Sequence, residues 1–159
     1  MKDFTCISLT LSFAISVGVL SGCKVPDEEQ IRDVVYGYCD AYNDKDIDKA
    51  MSFFSDDSKR VRPYAEGHIA TGEEAVRATF VEEFGRIDNI KGTRDIPTLN
   101  VSGDAADVIY IYRMEFTDLQ ENEVRVVATG RGTVKLRKTG GVWRITELEE
   151  TIDSWERQE

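Results

Sequence analysis

The stretch VRVVATGRGTVKLRKTGGVWRITELEETI, residues 124–152, decides the fold class of this chain. Apolar or small residues alternate with polar ones at a period of two through its first half, a pattern typical of a strand with one buried face. Gly140-Gly141 then supplies a tight turn, and a second strand follows. Gly130 and Gly132 fall on the apolar face, where glycine often marks a bend or a close approach of another segment. The stretch predicts two long antiparallel strands in a strongly curved sheet.

The same period of two extends upstream as far as Arg94, with turns predicted at Ser102–Asp104 and Asp118–Asn122. The apolar face of the strand between these turns consists of Val108, Tyr110, Tyr112, Met114 and Phe116. The C-terminal half of the chain therefore predicts at least three long strands joined by tight turns.

Three helices are predicted ahead of these strands. The first follows Asp27, a candidate N-cap, and its apolar stripe comprises Ile31, Val34, Val35, Tyr38 and Tyr42. Asp46 is a candidate N-cap for a short second helix, and Thr71–Glu74 reads as a capping box for a third. A short hairpin is predicted between the second and third helices. Helices followed by antiparallel strands predict an α+β domain with its helices on one face of the sheet.

This order of elements, together with AYNDKDIDKAMSFFSDD (41–57), GHIATGEEAVRATF (67–80) and GGVWRITELE (140–149), resembles the NTF2-like superfamily, which includes SnoaL-like proteins. The resemblance covers residues 27–152. It implies an α+β cone in which three N-terminal helices pack on a curved antiparallel sheet around a pocket. The domain is accordingly expected over 27–159. The fold alone leaves function open, because it hosts isomerases, dehydratases, cyclases, dimerisation modules and binding proteins.

Charge and rare residues exclude several function classes. The net charge is −10, from 30 acids and 20 bases. This disfavours binding to nucleic acid, because such binding needs cations to replace the counterions of phosphates. Three cysteines without paired spacing do not form a disulfide framework. With one histidine in addition, they provide no recognisable metal or haem site, so no metal and no cofactor is predicted.

The N-terminal segment has the layout of an export signal. Phe4 to Leu20 is mostly apolar, Lys2 precedes it, and small residues follow. Its 17 residues fall short of the ~20 that a spanning helix needs. The tetrapeptide that ends in Cys23, Leu20-Ser21-Gly22-Cys23, closely resembles the lipobox of bacterial lipoproteins.

The lipobox resemblance implies that residues 1–22 are a signal peptide that is removed. Cys23 would then carry the lipid, and residues 23–26 would form a short tether. We therefore expect an exported protein that is anchored to a bacterial membrane through Cys23. Because Lys24, rather than an aspartate, follows the cysteine, the periplasmic face of the outer membrane is the expected location in a Gram-negative host.

A comparison with ketosteroid isomerases, which resemble this chain, argues against catalysis. In those relatives a tyrosine on the first helix holds the enolate oxygen, and Tyr38 falls at that position. An aspartate before the hairpin proline moves the proton there, but Arg62 precedes Pro63 here. Arginine stays protonated and cannot act as a base at neutral pH. No catalytic residue is therefore predicted, although His68 remains a candidate base for an alternative enzyme.

A mostly apolar pocket with polar tips is predicted inside the cone. It would take a small apolar or anionic ligand, and Arg62 could pair with an acidic group of that ligand. The alternative is that the aromatic residues simply fill the cone. The candidate lining residues are Tyr38, Tyr42, Arg62, Tyr64, His68, Tyr110, Tyr112 and Trp143.

Three hypotheses for function follow. The leading one is a lipid-anchored, non-catalytic domain of the cell envelope that binds a small ligand or a protein. The second is an isomerase, dehydratase or cyclase that uses a pocket histidine or aspartate. The third is a dimeric scaffold, because a basic row on one strand (Arg125, Arg131, Lys135 and Arg137) marks a sheet face that often pairs subunits in this superfamily. Acids on a partner strand, such as Glu115 or Glu147, could neutralise the row instead.

Lipidation can be tested by metabolic labelling with a palmitate analogue in a bacterial host. We expect label on the wild-type chain and none on the Cys23→Ala variant, because the sulfur of Cys23 would accept the diacylglyceryl group. Equal label on both proteins, or no label on either, would refute the lipobox interpretation.

Overall fold

A computed structural model describes residues 25–62, 69–120 and 123–158 of the chain. The proposed signal peptide, Cys23, Tyr64 and His68 lie outside the described residues. No helix within the described ranges is both long and apolar enough to cross a bilayer.

Three helices form one layer: α1 (Asp27–Asn43), α2 (Ile47–Met51) and α3 (Glu73–Phe84). Their buried faces include Ile31, Val35 and Tyr38 of α1 and Val76 and Phe80 of α3. The periodic spacing of apolar residues thus predicted all three helices correctly.

Two of the three predicted helix caps are wrong. Asp46 does cap α2, since its side chain accepts a hydrogen bond from the backbone N–H of Lys49. Helix α1, however, begins at Asp27 itself, with Pro26 at the N-cap position and no side-chain cap. Helix α3 starts from Gly72 at a φ of 87°, and no side chain caps it. The carboxylate of Asp27 bonds Lys138 and Trp143 instead, so it joins α1 to the sheet.

Six strands form a single sheet in the order β2-β1-β6-β5-β4-β3. Their bounds are β1 Phe54–Val61, β2 Ile69–Thr71, β3 Ile87–Ser102, β4 Ala105–Asp118, β5 Val124–Thr139 and β6 Val142–Gln158. All neighbours are antiparallel except β1 and β6, which pair in parallel, so the sheet is mixed. Strand β3 begins seven residues before the predicted change of period at Arg94, and β6 runs beyond Ile152.

The sheet curves around α1 because the glycines of β5 remove side chains from its concave face. A Cβ on Gly130 would lie 2.0 Å from the carbonyl oxygen of Thr151, and one on Gly132 would lie 2.2 Å from the ring of Tyr110. The β5–β6 register also shifts between Thr129 and Gly130, which is a β-bulge. Bulges and glycines together bend strands, so the close approach predicted from the sequence is confirmed.

The core lies between the helices and the concave face of the sheet. Along β4, residues alternate between buried and exposed, and the buried set is Ala106, Val108, Tyr110, Tyr112, Met114 and Phe116. The three-helix layer on one face of a curved six-stranded sheet confirms the predicted α+β, NTF2-like cone.

The basic row of β5 lies on the exposed, convex face of the sheet. Arg125 pairs with Glu115, Lys135 with Glu147 at 3.1 Å, and Arg131 with Asp153 at 3.3 Å. Acidic residues of neighbouring strands thus neutralise much of this row, which is the alternative to a subunit interface that the sequence left open. A homodimer through this face stays a prediction.

Because Gly130 lies close to β6, we predict that a side chain at this position destabilises the protein more than one at a glycine with free space around it. We expect Gly130→Ala to lower the free energy of unfolding by about 2 kcal/mol or more, because the new methyl group meets backbone oxygen that cannot move aside. Denaturant unfolding measures this difference.

Gly85→Ala is the matched control. Gly85 has a φ of −74° and no atom closer than 3.4 Å to an added Cβ. We expect this variant to differ from wild type by less than about 1 kcal/mol. Equal losses in both variants would contradict the role given to Gly130.

Candidate ligand-binding site

Four charged residues from four different elements meet inside the cone. Arg60 comes from β1, Glu83 from α3, Arg94 from β3 and Glu150 from β6. The side chains of Arg60 and Arg94 are only 1% and 5% exposed. Because buried charges are costly unless they are paired, these four side chains must pair with one another or with neighbouring polar groups. We refer to these four residues as the buried charge network.

Arg60 is the most completely buried member of the network. Its Nη2 lies 2.7 Å from Oε2 of Glu83 and 3.7 Å from Oε2 of Glu150, and its Nη1 donates to Thr79 at 2.9 Å. Its guanidinium also stacks on the ring of Phe80 at 4.1 Å. Burial alone would lower the pKa of Arg60, but the adjacent Glu83 carboxylate raises it well above its ordinary value. Arg60 is therefore a permanent cation that holds β1 to α3.

Arg94 lies among three tyrosine rings. Its guanidinium is 5.2 Å from the ring centre of Tyr38, 5.8 Å from that of Tyr42 and 5.3 Å from that of Tyr110. It also pairs with Glu150 at 3.7 Å. The aromatic rings thus solvate this cation through cation–π contacts in place of water.

Tyrosine hydroxyls complete the network. Tyr42 donates to Glu83 at 2.7 Å, Tyr110 to Glu150 at 2.5 Å, and Tyr112 to the carbonyl of Thr151 at 3.0 Å. Among the residues that the structure describes, no group bonds the buried hydroxyl of Tyr38. Only about 10 Å³ of space remains beside Tyr42, Arg94, Tyr112 and Glu150. That is room for about one water molecule.

Burial and the nearby Glu150 carboxylate raise the pKa of Tyr38, Tyr110 and Tyr112. Both causes disfavour a phenolate. The interior of the cone around Arg94 is therefore lined by neutral tyrosines.

An open cavity of about 280 Å³ lies at the end of α3. Its apolar floor consists of Ile87, Met114, Phe116 and Trp155. Its charged rim consists of Arg62, Arg86, Arg157, Glu83 and Asp118. The indole of Trp155 meets the ring of Phe116 edge to face at 5.3 Å and remains 41% exposed. We call this space the Arg62 cavity.

A β-bulge in β6 places Trp155 and Arg157, near the end of the strand, on the face that lines the Arg62 cavity. After the register shift, Trp155 pairs with Ala128 and Arg157 with Val126, and both partners are buried on the concave face. Directly opposed residues of antiparallel strands share a face. Without the extra residue of the bulge, Ser154 and Glu156 would face inward instead.

The structure separates the predicted pocket residues into two groups. Tyr38, Tyr42, Tyr110 and Tyr112 lie together around Arg94 in the interior of the cone. Arg62 lines the open cavity, with its side chain 8% exposed.

Trp143 lies apart from both groups. It bonds Asp27 at the start of α1 and lines another depression with Val34 and Phe53. Cys39 is a buried free thiol.

No group of three or more potential metal-ligating side chains occurs in the described parts of the chain.

Because the buried tyrosines stay protonated in the folded protein, we expect the free energy of unfolding to fall at alkaline pH. Below pH ~10 both folded and unfolded tyrosines are protonated, and above it only the unfolded ones lose protons. Stability is therefore complete at lower pH and falls above pH ~10, by about 1.4 kcal/mol per pH unit for each such tyrosine. We expect Tyr38→Phe to reduce this slope and, because its hydroxyl is unpaired, to leave the unfolding free energy at pH 7 unchanged or higher.

Tyr110→Phe serves as the comparison, since it also reduces the slope but leaves a buried oxygen of Glu150 without its hydrogen bond. A loss of about 1–2 kcal/mol at pH 7 is expected there. Denaturant unfolding at pH 7 and between pH 10 and 11 measures both effects. An equal loss at pH 7 in Tyr38→Phe would show that its hydroxyl is bonded.

Known structures share this fold at low sequence identity. A ketosteroid isomerase-like protein from Erwinia carotovora atroseptica superposes with a TM-score of 0.74 at 20% identity, covering 82% of this chain and 99% of that one. A hexachlorocyclohexane dehydrochlorinase, LinA-type3 from Novosphingobium barchaimii, gives 0.72 at 15%, covering 82% and 89%. An NTF2-like protein of unknown function from Pseudomonas putida gives 0.63 at 20%, covering 78% and 84%.

These identities establish the fold and leave the activity open. No protein with a curated description matches the sequence. The sequence profile of one family, described as SnoaL-like domain, matches residues 24–149, most of the chain. This protein therefore belongs to the SnoaL-like domain family.

Proposed function

We propose that this protein binds, without transforming it, a small molecule that combines an apolar body with a single anionic group. The Arg62 cavity is the proposed site. The domain would act at a bacterial cell envelope, exported and held to the membrane by lipid on Cys23.

The composition of the Arg62 cavity carries this proposal. An apolar floor of four side chains lies beneath three arginines in a chain whose net charge is −10. Two carboxylates, Glu83 and Asp118, also line the cavity, and Glu83 is already paired with Arg60. Arginine matches the geometry of carboxylate and phosphate groups. At about 280 Å³, the cavity is slightly smaller than the ~300–1,000 Å³ typical of small-molecule sites.

Binding is favoured over catalysis because the carboxylates of Glu83 and Glu150 are already engaged in ion pairs and hydrogen bonds. Both oxygens of Glu83 already accept bonds, one from Tyr42 and one from Arg60. Glu150 is engaged by Tyr110, Arg60 and Arg94. A carboxylate in such a position would have to break an ion pair before it could take a proton from a substrate. Arg62, which occupies the base position of the isomerase-like relatives, cannot accept one.

The proposed anchor would keep the domain close to the bilayer. Helix α1 begins at Asp27, four residues after Cys23. Four residues span at most about 14 Å when extended. A ligand would therefore be captured near the membrane surface, where amphipathic anions partition.

A proton-transferring enzyme is the second candidate, and Asp118 favours it. This carboxylate lines the same cavity as Arg62 and the apolar floor. A carboxylate beside a bound substrate is the minimum that general-base catalysis requires. In that case an isomerase, dehydratase or related reaction would depend on Asp118, and Asp118→Asn would abolish turnover but not binding.

Binding can be measured through Trp155 in the full chain. Trp143→Phe removes the second tryptophan, which lies outside the cavity. Titration with octanoate is expected to shift the emission of Trp155 to shorter wavelength, because the ligand covers its exposed ring. Arg62→Met should weaken octanoate binding about 10-fold, since one charge-assisted hydrogen bond is lost, and should leave binding of 1-octanol unchanged.

Arg77→Met is the control variant for this titration. It removes the same charge from the surface of α3, where Arg77 pairs with Asp48 away from the cavity. Unchanged Trp155 emission up to millimolar octanoate, in this protein and in its Glu82→Gln variant, would contradict the binding proposal. Recovery of chemically altered ligand would favour the enzyme.

A further inference from the structure

Glu82 contacts two arginines of the Arg62 cavity without lining the cavity itself. Its Oε2 lies 2.9 Å from Nη1 of Arg62, and its Oε1 lies 4.0 Å from Nη1 of Arg86. Both arginines line the cavity, whereas Glu82 lies outside its lining. One carboxylate of the chain thus holds two cations that an anionic ligand would use.

The two sides of the Arg62–Glu82 pair differ in burial. The side chain of Arg62 is 8% exposed, while that of Glu82 is 53% exposed. A buried guanidinium gains from an anionic partner at all times, because it cannot turn to bulk water. An exposed glutamate loses little when it leaves such a pair, since water solvates it at once. Exchange of Glu82 for another anion therefore keeps the arginine paired and costs the glutamate little.

The neighbouring Glu83 shows the contrast on the same helix. Its side chain is 9% exposed and both of its oxygens are held inside the cone by Tyr42 and Arg60. Successive helix residues point about 100° apart, which follows from 3.6 residues per turn. Helix α3 therefore presents one fixed carboxylate to the interior and one movable carboxylate to the rim.

We propose that Glu82 is a built-in competitor that occupies the anion position of the Arg62 cavity until a ligand displaces it. This inference rests on the proposed function and names the residue that sets its specificity. The ligand's anionic group takes the place of the Glu82 carboxylate at Arg62 and Arg86. A neutral molecule of the same shape cannot displace Glu82, so the exchange favours charged ligands whose anion pairs with arginine better than a glutamate does.

The test is Glu82→Gln in the full chain, with Trp155 as the reporter in the Trp143→Phe background. Octanoate is the anionic probe and 1-octanol its neutral counterpart. Removal of the competing charge should tighten octanoate binding about 5-fold and leave binding of 1-octanol unchanged. Because Glu82 is exposed, the variant should fold, and its denaturant unfolding curve verifies this.

Glu74→Gln is the matched control. It removes the same charge from an exposed position on the same helix, eight residues or about 12 Å earlier along the axis. Its octanoate affinity should stay within about 2-fold of the parent protein. A 5-fold gain in both variants would mean that net charge, and not competition at Arg62, governs binding, and would overturn the inference.

A double-mutant cycle localises the effect. In the Arg62→Met background, Glu82→Gln should lose most of its influence on octanoate affinity. If octanoate binds the parent protein and Glu82→Gln leaves its affinity equal or weaker, Glu82 only orients Arg62 and the inference is wrong while the proposed function stands. If octanoate binds only after Glu82→Gln, the inference is supported. If it binds neither protein, both proposals fail.

Discussion

The ion pair between Arg60 and Glu83 is the interaction on which the interior of this protein depends. It joins β1 to α3 across the core at 2.7 Å, and both side chains are almost wholly buried. Loss of one partner would leave the other as an unpaired buried charge, which is far more destabilising than replacing both with apolar residues. Tyr42 and Thr79 are fixed in turn because their hydroxyl groups bond Glu83 and Arg60. The pair therefore holds α3 to β1, and the Arg62 cavity lies at the end of that helix.

The tyrosine-lined interior around Arg94 and the open Arg62 cavity differ in chemistry. Tyrosine rings surround Arg94, and the space that Arg94 shares with Tyr42 and Glu150 holds about one water molecule. At the end of α3 the Arg62 cavity, of about 280 Å³, remains open. A ligand in the Arg62 cavity would meet Glu83 with its carboxylate already paired with Arg60. Recognition must then come from the rim and the floor, which favours binding over chemistry deep within the fold.

Periodicity predicted the fold because most buried positions are apolar, and it missed the buried charge network because that network breaks the rule. The pattern of β4 and the glycines of β5 were sufficient for a curved sheet covered by helices, and the SnoaL-like family and fold are confirmed. Arg60 follows Ser58 at a period of two, Glu83 lies in the Val76–Phe84 stripe, and Glu150 follows Leu148. Each is a charge at a position that periodicity assigns to the core. A charge at a core position is the one feature of the sequence that indicates a buried network, but the sequence does not show which charges pair.

Trp155 and Arg157 could not be assigned to the site from the sequence for another reason. A one-residue bulge in β6 reverses which residues of the strand face inward.

The adjacent residues Glu82 and Glu83 show how one short helix can separate stability from specificity. A substitution at Glu83 would disturb a buried pair that holds α3 to β1. A substitution at Glu82 changes an exposed carboxylate that pairs with Arg62 and leaves the Arg60–Glu83 pair intact. The fold can therefore alter the charge beside its cavity without breaking the pair that holds α3 to β1. In this chain the curvature of the sheet and the buried charge network fix the shape, while on our proposal an exposed residue at the end of α3 sets which charges the cavity accepts.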